Sequence, residues 1–240
     1  MAILRVRPWP AGRLRSSVAA AIPVLLVAVL LLAAPDAQAG CGGVQQRSAQ
    51  TRLTTGQAPL MIGDSVLLGA LREVTRAGFE INTRGCRGWR EGMAVLRARR
   101  RAGTLPREVV VALGSNGGVT RASIRTALAI TGRHRVLVLL TPRELRGTSG
   151  AAAVRAAGRA HPDRILVIDW ARRARAAAGW LQPDGIHLTP RGAAGLAQLL
   201  GRAARYAGGP PYRSAAFRQD GRVAAGGLRY RERRPDGQET

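Results

Sequence analysis

Ser65, Asn116, Asp184 and His187 lie far apart in the chain, yet their types belong together in acyl-transfer chemistry. A serine hydroxyl is a weak nucleophile at neutral pH and needs a base within hydrogen-bond reach. Histidine is the usual base, and a carboxylate fixes its tautomer and steadies the imidazolium. The oxyanion that forms needs fixed donors, which an Asn amide and backbone N–H groups can supply. The four residues stand in "MIGDSVLLGA", "GSNGG" and "PDGIHLTP". Asp184 precedes His187 by three positions on a tight Asp-Gly loop, so its carboxylate can turn toward the ring. Taken singly, each has a plainer reading. Ser65 would be a helix N-cap, Asn116 and Asp184-Gly185 turn residues, and His187 a surface or core histidine. A site exists only if the fold brings them together.

The elements that would position them can be read from periodicity. "PLMIG", "FEINT", "EVVVALG", "RVLVLLTP" and "RILVIDW" read as strands, and helical patterns alternate with them. "SVLLGALREVTRAG" reads as one helix, and Thr189 and Pro190 open the last one. Five strands in alternation with helices predict an α/β fold, a five-stranded parallel sheet covered on both faces. Ligands of such sheets bind beyond the carboxyl ends of the strands. Asp64 and Ser65 follow the first strand there. Arg84, Gly85, Cys86 and Arg87 follow the second, residues 114–118 the third, and Thr141, Pro142 and Arg143 the fourth. Asp184 and His187 lie on the loop before the last helix. His134 and His161 precede strands four and five, on the opposite edge, which leaves His187 as the base. Asp64 is expected to bond local backbone N–H groups. Arg84, Arg87 and Arg143 could meet an anionic substrate or be solvated charges. Cys86 has no second histidine on its edge and is not expected to act as a nucleophile.

"IGDS", "GSN" and "DGIHLTP", in this order and at these strand ends, resemble the blocks of the SGNH (GDSL) hydrolase superfamily over roughly residues 59–206. The resemblance implies a flavodoxin-like three-layer α/β/α fold and no metal or organic cofactor. It implies Ser65 as nucleophile, His187 as base and Asp184 as the residue orienting it. The oxyanion donors would be the Asn116 amide and the backbone N–H groups of Ser65 and of Gly85 or Cys86. "IGDSVLLGA" and "DGIHLTPRGA" are similar in particular to the extracytoplasmic SGNH domains of membrane O-acyltransferases that modify wall polysaccharides. The α/β-hydrolase alternative lacks its G-x-S-x-G elbow around Ser65.

The remainder of the chain sets the context. Arg5, Arg7, Arg13 and Arg15 precede an apolar run over residues 18–34 and then Ala37-Gln38-Ala39, the layout of a secretory signal peptide. An uncleaved N-terminal anchor is the alternative. Residues 1–39 are therefore assigned to the signal peptide, 40–57 to a linker, 58–207 to the catalytic domain and 208–240 to a disordered tail. Secreted or cell-envelope localisation makes a Cys41–Cys86 disulfide chemically possible, but the sequence leaves the pairing open. Two cysteines and three histidines give no zinc constellation. All 38 basic residues are Arg, and the net charge is +24. The charge is spread along the chain without aromatic interleaving, which argues against a nucleic-acid partner. It reads as a solvated surface that would suit an anionic wall or membrane face. The expected activity is an exported serine esterase acting on short acyl or acetyl esters, carried on small molecules or wall glycans. The alternatives are an O-acyltransferase to a polysaccharide hydroxyl and a non-catalytic wall-binding module. The sequence does not fix the oligomeric state.

Overall fold

The computed structural model describes residues 41–53, 56–144 and 149–208. Segment 1–39, expected to be a signal peptide, lies outside the described residues, as does the expected tail 208–240 apart from Gly208. Strands β1 (Gln45–Arg47), β2 (Leu60–Gly63), β3 (Glu80–Thr83), β4 (Glu108–Ala112), β5 (Val136–Leu140) and β6 (Ile165–Ile168) form one sheet in the order β1-β3-β2-β4-β5-β6. The helices are α1 (Ser65–Leu68), α2 (Leu71–Arg76), α3 (Trp89–Arg101), α4 (Arg121–Thr131), α5 (Ser149–Ala160), α6 (Trp170–Ala176) and α7 (Pro190–Gly208). Among them no helix is long and apolar enough to cross a membrane.

The strands from β2 to β6 pair in parallel, as the alternating pattern predicts. Period-two alternation splits their apolar residues between two cores. Met61, Ile81, Val110, Val138 and Leu166 pack on one side with residues of α2 and α7. Leu60, Ile62, Val109, Val111, Leu137 and Leu139 pack on the other with residues of α3, α4 and α5. Burial of both faces explains why β4 and β5 read as unbroken apolar runs.

Two expectations need correction. The sheet has six strands, because part of the presumed linker 40–57 forms β1, antiparallel to β3 with Gln46 opposite Asn82. This three-residue edge strand is polar and largely solvated, so it carries no hydrophobic alternation to betray it. The first predicted helix is also two helices. It breaks after Leu68, where Gly69 lies close to Leu188 of the loop before α7.

Arginine is also more than a solvated face. Arg100 donates to the carbonyls of Ala129 and Ile130 at the end of α4, and Arg164 to those of Leu128 and Gly132. Helix ends leave such carbonyls without intrahelical donors, and a long guanidinium reaches them from a neighbouring element.

Candidate active site

β2 ends at Gly63, and the chain turns at once into α1. Asp64, not Ser65, is the N-cap, and its Oδ1 accepts the N–H of Val66 at 3.1 Å. Its Oδ2 accepts the N–H of Ser115 at 3.4 Å, which ties the loop after β4 to the start of α1. Asp64 is 1% exposed, and burial raises its pKa against the lowering effect of these bonds. Ser65 occupies the first helical position, directly beyond the sheet edge.

The partner loop is built from short hydrogen bonds between α6 and α7. Leu181 and Leu188 form an antiparallel bridge, and Gln182 N–H donates to the His187 carbonyl at 2.8 Å. Gly185 N–H donates back to Gln182 at 2.9 Å, closing a turn in which Gly185 has φ 69°, a region glycine enters without steric cost. Ile186 and Leu188 are buried, and half-buried His187 lies between them. Trp180 anchors the base of the loop. Its ring and carbonyl lie against Gly195 and Gly192 of α7, where any side chain would collide with them.

These elements bring Ser65, His187 and Asp184 into one relay. His187 Nε2 lies 3.0 Å from Ser65 Oγ, and His187 Nδ1 lies 2.6 Å from Asp184 Oδ2. Asp184 Oδ1 accepts the N–H groups of Ile186 at 2.9 Å and His187 at 3.0 Å. The His187 ring, foremost, and the Ile186 N–H hold the Asp184 carboxyl down to about 2. An ionised carboxylate can only accept, so Nδ1 carries the proton and Nε2 is left to accept from Ser65. A hydroxyl so placed can lose its proton as its oxygen attacks a carbonyl carbon. The side chains of His187 and Asp184 are 41% and 44% exposed, so water reaches the relay.

The suspected oxyanion donors come from the strands on either side of β2. Asn116 lies on the loop after β4, is exposed, and makes no hydrogen bond among the described residues. Gly85 and Cys86 lie on the loop after β3. Cys86 forms a disulfide with Cys41, and its φ is 53°, rare for a residue other than glycine. Gly85 is packed against the Cys41 carbonyl so closely that a Cβ would collide with it. Arg84 N–H donates to Gly63 at 3.4 Å. The guanidinium of Arg87, 2% exposed, donates to the carbonyls of Asn82 at 2.7 Å and Gly63 at 3.3 Å. Arg87 is thus a buried strut beneath this loop rather than a substrate contact. Arg84 pairs with Glu91 at 2.9 Å. Arg143 donates through Nε to the Gly185 carbonyl at 2.9 Å, inside the Asp184–His187 turn. His134 and His161 precede β5 and β6, at the far edge. Among the described residues, no group of three His, Cys, Asp or Glu side chains could hold a metal ion.

The sequence left three of these features unread. The Arg87 strut, the Arg143 contact and the Asp64–Ser115 bond each join residues remote in the chain. The Asp-Gly turn and the apolar-polar-apolar order of Ile186, His187 and Leu188 were the local signals available.

No protein-family model matches the chain. The chain is similar to the Bacillus subtilis (strain 168) protein named "Putative peptidoglycan O-acetyltransferase YrhL". The two are 27% identical over 150 residues, 61% of this chain and 23% of that one. It is also similar to the peptidoglycan O-acetyltransferase OatA of Listeria monocytogenes (serovar 1/2a), 26% identical over 158 residues, 65% of this chain and 25% of that one. The chain therefore spans about a quarter of the length of the curated relatives it matches. Among solved structures it is similar to the C-terminal catalytic domain of OatA from Streptococcus pneumoniae, solved with a methylsulfonyl adduct. The TM-score is 0.55 at 23% identity, covering 62% of this chain and 93% of that domain.

Proposed function

We propose, for a chain that carries the SGNH hydrolase fold, that it is an extracytoplasmic serine enzyme that takes an acyl group from an ester onto Ser65. The observation that carries this reading is the unbroken relay from Ser65 Oγ through His187 to Asp184, at 3.0 and 2.6 Å. Ser65 Oγ attacks the acyl carbonyl while His187 Nε2 takes its proton. The oxyanion is held by the Ser65 N–H, the Asn116 amide and an N–H of Gly85 or Cys86. His187 then returns the proton to the departing alcohol, and the acyl-enzyme remains. A short acyl group, acetyl, is the one that the O-acetyltransferase names of the sequence relatives suggest.

Two acceptors complete the turnover. Water is one, and the exposure of His187 supports hydrolysis. The second is a sugar hydroxyl on a wall glycan. The peptidoglycan O-acetyltransferase names of the two sequence relatives favour it at least as strongly. The N-terminal segment and the Arg-rich composition are compatible with work at an anionic cell surface.

Ser65→Ala tests the chemistry. It is expected to abolish turnover of p-nitrophenyl acetate, with an unchanged circular dichroism spectrum. Undiminished turnover would refute the mechanism. Adding a glycan acceptor to the wild-type reaction then separates the two outcomes. Acetylated glycan in the mass spectrum means transfer, and free acetate alone means hydrolysis.

A further inference from the structure

Beyond the ends of β5 and β6 the surface encloses a cavity of about 220 Å³, bordered by Pro142, Arg143, Glu144, Arg155, Arg172 and Arg175. That is below the volume of a drug-sized ligand site and suits a small substituent. The nearby carboxylates are already committed. Glu144 accepts the N–H of Gly150 through both oxygens, at 3.2 Å, near the start of α5. Asp169 receives the fork of Arg155 at 3.0 and 2.8 Å and the hydroxyl of Thr141 at 3.0 Å, and Arg172 Nε lies 3.6 Å away. Four guanidinium groups thus meet two carboxylates, and Arg143 and Arg175 have no carboxylate partner among the described residues. A concave wall with this imbalance focuses positive potential in a way that a convex arginine surface does not.

Its position relates it to Ser65. β4 and β5 are the next strands after β2 in the sheet. At about 4.8 Å per strand, the end of β5 lies roughly 10 Å from the end of β2. Pro142 and Arg143 also border the small cavity next to Asp64, Val66 and Ser115, so one wall separates the two. Arg143 spends only Nε on Gly185, which leaves its terminal N–H groups to receive an anion.

We infer that this cavity is an anion subsite, and that the ester brought to Ser65 is carried on a glycan bearing a carboxylate or phosphate, which Arg143 and Arg175 receive. Both anions match the planar guanidinium fork. The inference rests on the acyl-transfer reading of Ser65.

The test compares three O-acetylated substrates on the full chain. They are an oligogalacturonide carrying carboxylates, a hexose phosphate, and a neutral xylooligosaccharide. Wild type is expected to favour one or both anionic esters in kcat/KM. Arg175→Gln should cut that preference about tenfold, mostly through KM, as for the loss of one charge-assisted bond. Arg175→Glu should cut it further, and added salt should weaken it in wild type. The rate on the neutral ester corrects for any damage to the centre, and the more favoured anion identifies the substituent. No anionic preference in wild type, or one that both variants retain, overturns the subsite. If wild type turns over none of the three, the acyl reading is still judged separately, by turnover of p-nitrophenyl acetate. The subsite is then judged by calorimetry with unacetylated oligogalacturonide. Binding that Arg175→Glu weakens upholds it, and no binding overturns it.

Discussion

At the scale of residues, Asp184 is half exposed, yet it is the group in the relay whose charge is most firmly held. The His187 ring and the Ile186 N–H keep its carboxyl at about 2, so it stays ionised throughout the neutral range. The sign follows from that depression. Its contribution to the folded loop is present above the ordinary carboxylate value near 4 and is lost as pH falls through about 2. Asp184→Asn keeps the shape but lets the side chain donate to Nδ1, which favours the wrong tautomer. A drop in kcat of about 10⁴ on p-nitrophenyl acetate is expected, with the fold intact by circular dichroism. Asp64 has a different role. Asp64→Ala leaves the N–H groups of Val66 and Ser115 without their acceptor and should destabilise the domain by about 2 kcal/mol in urea unfolding. An unchanged midpoint would mean that water satisfies both donors. The meeting of Ser65, Asp184 and His187 within hydrogen-bond reach was legible in the sequence because each sits in a short motif at a strand end or on the last loop. Arg87 was not, since its value lies in carbonyls of two strands that only the folded sheet brings together.

At the scale of elements, the loop after β3 is secured from below and from the side. Arg87 and the Arg84 N–H tie it to β2, while the disulfide and the Cys41 carbonyl hold Cys86 and Gly85 against the segment that leads into β1. The five parallel strands were readable because burial on both faces writes itself as apolar runs. β1 was not, because a polar edge strand is specified by its neighbour's ladder and by a covalent tether. The cysteine pairing depends equally on that tertiary placement. Cys41→Ser opens a loop with a sequence separation of 45 and should lower stability by about 2–4 kcal/mol. If the loop supplies an oxyanion N–H, kcat on p-nitrophenyl acetate should also fall at temperatures where the variant remains folded. A variant that loses stability but keeps full kcat would remove Gly85 and Cys86 from the catalytic proposal.

At the scale of the whole molecule, the arginine surplus is divided between capping helix ends, bracing loops and the basic cavity beyond β5 and β6. The acidic residues are few, and one is costly. Glu108, at the start of β4, is 7% exposed, its Oε1 has no partner, and burial pushes its pKa up to about 7. A carboxyl raised in the folded state gives stability that is fully present below the unfolded value near 4.5 and is lost as pH rises toward 7. Glu108→Gln should therefore raise stability at pH 8, by an amount on the order of 3 kcal/mol, and change it little at pH 4. Equal effects at both pH values in thermal unfolding would contradict this assignment. The composition carried the sign of the charge but not its division among these uses, which requires the partners to be seen.

Acylation of Ser65 is the step on which every other part of the mechanism depends. The most direct measurement is mass spectrometry of the full chain after exposure to an active-site phosphonate, followed by peptide mapping. The expected result is one adduct per chain on the peptide containing Ser65, absent from Ser65→Ala and much slower to form in His187→Ala. No adduct on the folded wild-type chain, or one on another residue that persists in Ser65→Ala, would contradict it.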